Sequence, residues 1–166
     1  IIWIYNINEI IHKKGIYKMW NPSKSVTVSS ICTKIVIAAV ICAAVTAPFL
    51  VKSYVAFTLK DPYVINPLLV TIYACTVPGL IALFSLDRLL ANIKKKDVFI
   101  SKNVKHLRAI SWCSFAVSAI LFLSGFYYIL LLLIAIAAAF FGLILRVVKN
   151  VIEQAVVIKN ENDFTI

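Results

Sequence analysis

The chain has 166 residues, of which 62% are hydrophobic and 14% charged, with a mean hydropathy of +0.95. A soluble domain carries about a quarter charged residues and about half apolar ones, and a fold of this size has too much surface to hide so much hydrocarbon, so a soluble globular class is excluded. The formal charge of +10 does not point to direct nucleic-acid binding: the lysines and arginines lie between apolar blocks, without aromatic–basic interleaving or zinc-ligand spacing.

Residues 1–18 (IIWIYNINEIIHKKGIYK) mix Ile, Asn, Tyr and Lys with no helical stripe. The first and only Met is Met19, and Lys13-Lys14-Gly15 would be encoded by an A-rich run followed by GG, three codons upstream. The expectation is that 1–18 is translated upstream leader and that 19–166 is a single four-helix membrane domain.

The first apolar run predicts a span at about 31–51, with Lys34 close enough to its start to snorkel. Ala39, Ala43 and Ala47 form a small-xxx-small seam suited to close packing, and Pro48 predicts a kink near the outer end. The run is too long for a signal peptide, so it reads as a retained anchor. Across the 52–67 connection, Tyr54, Phe57 and Tyr63 suit an interfacial aromatic belt, Asp61-Pro62 reads as a turn, and Asn66-Pro67 as N-cap and first position of the next helix.

The second span is expected at about 68–86. Pro78-Gly79 inside it predicts a kink, tolerated in a bilayer where neighbours re-satisfy the freed carbonyl. The basic connection 87–107, with Arg108 just after it, holds Arg88, Lys94, Lys95, Lys96, Lys102, Lys105 and Arg108 against Asp87 and Asp97. Asp87 reads as an edge ion pair with Arg88. Ser101 reads as the next N-cap, and Val104, Leu107 and Ile110 as an apolar stripe.

Residues 109–145 carry no charge. One helix of that length is far longer than the bilayer needs, and Ser124-Gly125 breaks it, so a tight hairpin is expected, with spans at about 108–124 and 128–148. Ser114 and Ser118 line one face of the third helix. Ala135 with Ala139, and Ala138 with Gly142, supply close-packing pairs in the fourth. The tail, 149–166, continues amphipathically through Val151, Ile152, Ala155 and Ile158 and ends KNENDFTI. The fold class is therefore all-α and polytopic. The excess of Lys and Arg in 87–108 and in the tail places both termini in the cytoplasm of a bacterial inner membrane.

The search for chemistry returns no catalytic residue, cofactor site or metal site, and the chain reads as a non-enzyme. No Asp or Glu lies inside a span, which disfavours proton- or ion-coupled transport. Cys32, Cys42, Cys75 and Cys113 form no CxxC and read as small hydrophobes. His106 sits in a basic segment that disfavours protonation.

Two segments carry more than composition. Asp97 to Ile110, with Phe99 and Ser101 followed by Lys105-His106-Leu107-Arg108, and Ile158 to Ile166, with Glu161, Asn162, Asp163, Phe164 and Thr165, together resemble a bacterial family of small four-helix membrane proteins, domain of unknown function 2975. The resemblance covers about 25–166, Pro78 included. Ile100, standing between Phe99 and Ser101, departs from the family's adjacent Phe-Ser pair. No activity comes with the family. Its members are often encoded beside a small helix-turn-helix regulator of the Cro/repressor type, so the resemblance implies a cytosolic regulator as partner.

Three functions follow as expectations. The first is a non-enzymatic envelope sensor or membrane partner of that regulator, with the acidic tail docking on the basic connection or on the partner. The second is an immunity factor against membrane-active peptides. The third is a small transporter or channel subunit, which would need homo-oligomers to build a pathway. Besides the lipid bilayer itself, the candidate interaction residues are Phe99, Ser101, Lys105, Arg108 and Glu161 to Thr165.

Overall fold

The structure, a computed structural model, describes residues 22–58, 62–95 and 97–163. The expected leader, the Asp61 turn position, Lys96, Phe164 and Thr165 lie outside the described residues, as does the side chain of Asp163. Four α-helices follow one another: α1 (Pro22–Phe57), α2 (Ile65–Lys94), α3 (Ser101–Ser124) and α4 (Ile129–Asp163), with a single 3-10 turn, Pro62–Val64, before α2. All four are long and apolar enough to cross a membrane, which makes this a multi-pass membrane protein.

Their apolar stretches match the bilayer. Lys34 and Lys52 bracket the uncharged part of α1 about 27 Å apart along the helix axis, close to a hydrocarbon core of roughly 30 Å. The helices overrun that core. α2 continues to Lys94, α3 starts at Ser101 rather than near 108, and α4 continues to Asp163, so three helices carry turns beyond the apolar level at one end of the molecule.

Chain neighbours pack antiparallel. The substantial helix contacts are α1 with α2, α2 with α3 and α3 with α4, so the four helices form an open row rather than a closed bundle. The α3–α4 pair is the tightest, with Gly142 as its close approach: a Cβ there would lie 3.1–3.2 Å from the Phe115 ring. Ala135, 1% exposed, packs on the same face. Two serines tie the pair together: Ser111 Oγ donates to the Gly142 carbonyl at 2.9 Å and Ser118 Oγ to the Ala135 carbonyl at 2.8 Å. Ser114, expected beside Ser118, instead donates to Ile110 in its own helix. The hairpin turn closes through Gly125 N–H to the Leu121 carbonyl and Tyr128 N–H to the Ser124 carbonyl. Thr71 of α2 and Ser124 meet beside it, Oγ1 to Oγ 2.7 Å apart.

Several local expectations are corrected. The expected α1 seam has its axis wrong: Ala47 is buried, but Ala39 and Ala43 are exposed, and the packed face is Thr33, Ala47, Val51 and Val55. Asn66-Pro67 does not cap α2, because the preceding 3-10 turn already starts the helix and puts Val64 at the cap. α1 runs unbroken through Pro48, and α2 through Pro78 and Gly79. Proline removes the donor to the carbonyl four residues back. For Pro48 that carbonyl is Ala44, and the Tyr73 hydroxyl of α2 donates to it at 3.2 Å.

Candidate functional site: the charged end

The polar groups collect where α2 ends, α3 begins and α4 overruns its span. Leaving α2, the chain turns through Lys95 N–H to the Ala91 and Asn92 carbonyls and Asp97 N–H to the Asn92 carbonyl. The residue that fastens this connection is Asn103, 1% exposed. Its Nδ2 donates to the carbonyls of Asp97 (2.7 Å) and Val98 (2.8 Å), and its Oδ1 accepts from Asn92 Nδ2 at 2.8 Å. One buried amide therefore joins the last turn of α2, the connection and the first turn of α3. Sequence reading missed it, since an Asn among lysines has the signature of a solvated residue.

Asn103 fixes what stands beside it. Ile100, with extended backbone, holds the N-cap position, so Ser101 is the first residue of α3 and not its cap. Val104, Leu107 and Ile110 are buried, as the apolar stripe predicts. Against this turn lies the overrunning part of α4, whose Val156 is buried. Val151 and Ile158, expected on the packed face, are exposed. The inward face is instead the Lys149, Ile152, Val156 register, because the crossing on α3 and not the hydrophobic stripe sets the rotation of α4.

Phe99, Ile100, Ser101 and Lys102 form one wall of a groove of about 420 Å³, and Val156, Lys159 and Asn160 the other. Phe99 stays 47% exposed at its rim. Just below, Lys105 and Arg108 face Glu153 and Asn160 across a second hollow. Arg108 Nη2 pairs with Glu153 Oε1 at 3.2 Å, and Lys149 Nζ with Glu153 Oε2 at 2.6 Å. The hydrogen bond from Lys149, with the nearby Lys149 and Arg108 charges, holds the Glu153 carboxyl below its usual range. Burial, and then the Arg88 charge, push the His106 imidazole down. Asp87 does not sit as an edge pair of its helix neighbour Arg88; its Oδ1 lies 3.5 Å from Ser30 Oγ of α1.

Of the expected interaction residues, the structure brings Phe99, Ser101, Lys105 and Arg108 together on one surface. It sets Glu161 and Asn162, both exposed, in the closing turn of the α4 helix that forms the opposite wall. Pro78 and Gly79 stand apart, within the span of α2; a Cβ on Gly79 would meet nothing within 4 Å.

The family described as protein of unknown function, DUF2975, matches residues 59–166. The chain belongs to this family. The match takes in α2, α3, α4 and the whole charged end, and α1 lies before it, so it is shorter than the 25–166 that the sequence resemblance covers. No curated protein and no solved structure matches the chain.

Proposed function

We propose that this DUF2975 protein is a non-enzymatic membrane interaction protein of the bacterial inner membrane. It presents its charged end to the cytoplasm as a docking surface for a helix-turn-helix regulator. The observation that carries the reading is a juxtaposition. The Phe99–Ser101 element and the approach to the C-terminal tail, about 55 residues apart in sequence, form the two walls of one groove. Residues that served only to end a helix would have no reason to meet there. The excess of Lys and Arg around this end supports its cytoplasmic placement. A sensor role fits the same geometry, because any change in how α3 and α4 cross would alter the groove.

The test is recovery of the regulator by the detergent-solubilised full chain, compared with a chain lacking Glu161–Ile166. The reading predicts co-purification with the full chain and its loss on truncation. Equal recovery by both, or recovery by neither, would contradict it. The transporter alternative requires oligomers, since an open row of four helices does not surround a path.

A further inference from the structure

One feature of the charged end is not used by the docking groove. Between the first turns of α3 and the end of the apolar part of α4 lies a separate hollow of about 300 Å³, lined by Arg108, Ser111, Trp112, Arg146 and Lys149. We propose that it is a binding site for the phosphate group of an anionic phospholipid.

Depth is the first argument. Arg108 and Arg146 are the charged residues that flank the uncharged stretch 109–145. In a hairpin they come level with each other, at the boundary between hydrocarbon and headgroups, where a lipid phosphate sits and basic side chains meet anionic lipid. Trp112 lies one turn inside Arg108, 59% exposed, at the level where amphipathic rings favour the interface.

Charge and geometry are the second. Three cations face the hollow, and Glu153, held between Arg108 and Lys149, is the carboxylate that neutralises them. That leaves an excess of two positive charges in a confined space. The Lys149 side chain is only 13% exposed, so its charge is poorly hydrated and gains from a second anionic neighbour. The Arg146 guanidinium lies 5.6 Å from the Trp112 ring centroid. This cation–π contact holds the planar group in place and leaves its N–H edges available for the paired hydrogen bonds that phosphate oxygens accept. The site is thus more than a generically basic loop: Lys94 and Lys95, on the α2 side, are not among its lining residues. The inference does not depend on the docking function.

The experiment is thermal unfolding of the full chain in neutral detergent, titrated separately with phosphatidylglycerol, oleate and inorganic phosphate. Phosphatidylglycerol is expected to raise the midpoint saturably. The Arg146→Gln/Lys149→Gln variant should need about tenfold more lipid, the loss of one charge-assisted contact. The Lys94→Gln/Lys95→Gln variant, which removes as much charge elsewhere, should respond like the parent. Where the double variant fails to fold, Arg146→Gln alone, an exposed residue, should shift the titration in the same direction. A saturable effect of inorganic phosphate, lost in the same variant, would support the site with free phosphate as its source. Equal weakening by both double variants, an equal response to oleate, or no response to phosphatidylglycerol would each overturn it.

Discussion

The hydroxyl of Tyr73 in α2 donates to the carbonyl of Ala44 in α1 at 3.2 Å, and Ala44 is the residue whose helical donor Pro48 takes away. A proline in the middle of a membrane helix leaves a carbonyl facing hydrocarbon, at a cost of about 1–3 kcal/mol for an unsatisfied buried group. Here the neighbouring helix supplies the missing donor. The sequence reading expected such compensation at Pro78; the structure shows it at Pro48.

The two positions should therefore couple. Tyr73→Phe is expected to destabilise the chain by about 1 kcal/mol, the usual net worth of one hydrogen bond. In a Pro48→Ala background, where the backbone satisfies the Ala44 carbonyl, the same change should cost close to nothing. A double-mutant cycle on unfolding in detergent reads this difference directly; equal costs in both backgrounds would show that the hydroxyl does not compensate for the proline.

Asn103 should be among the most sensitive polar positions. Asn103→Leu removes three hydrogen bonds and strands the Asp97 and Val98 carbonyls, at about 2–4 kcal/mol. Asn92→Ala removes one of the three and should cost about 1 kcal/mol. Hydrogen exchange should show the loss concentrated in 95–104, with the 129–145 part of α4 unaffected. A loss of protection spread evenly over the chain would contradict the local role.

Close approach at Gly142 makes a third case. Gly142→Ala puts a methyl group 3.1–3.2 Å from the Phe115 ring, an overpacking expected to cost about 1–3 kcal/mol. In a Phe115→Leu background the same substitution should cost less, because the smaller side chain yields the space. If the cost of Gly142→Ala is unchanged by Phe115→Leu, the contact is not what requires glycine.

The Glu153 bridges predict a pH dependence of defined sign. The folded-state carboxyl is held below its ordinary value. Its contribution is therefore present in full above the ordinary carboxylate range and is lost as pH falls through the lowered folded value. Protection of the 149–160 amides should hold steady from neutral pH downward, then decline in acid. Glu153→Gln should flatten the decline, and a profile that rises on acidification would contradict the pairing.

Much of this architecture was legible in the amino-acid sequence, for one physical reason. Apolar runs of bilayer length separated by Lys and Arg leave few alternatives to four spans, and Ser124-Gly125 marked the hairpin. Helix rotation was not legible. In a membrane helix both the lipid-facing and the protein-facing sides are apolar, so hydropathy does not distinguish Ala39 and Ala43, which are exposed, from Thr33 and Val55, which are packed. The Phe99–Ser101 and tail segments were flagged by resemblance, but their meeting was not, because the rotation of α4 places Val156 inward and Val151 outward. Asn103 carried no sequence signal at all: its role arises from three partners that only the fold brings within reach.

The account rests most heavily on the groove between Phe99 and Val156 being a surface that a cytosolic protein occupies. A photo-reactive phenylalanine analogue at position 99, in the full chain in intact cells, tests this directly. The predicted result is an adduct with a helix-turn-helix regulator, absent when the analogue stands at Ile136 in the lipid-facing part of α4. Adducts only to lipid or to the chain itself, or the same yield from both positions, would contradict it.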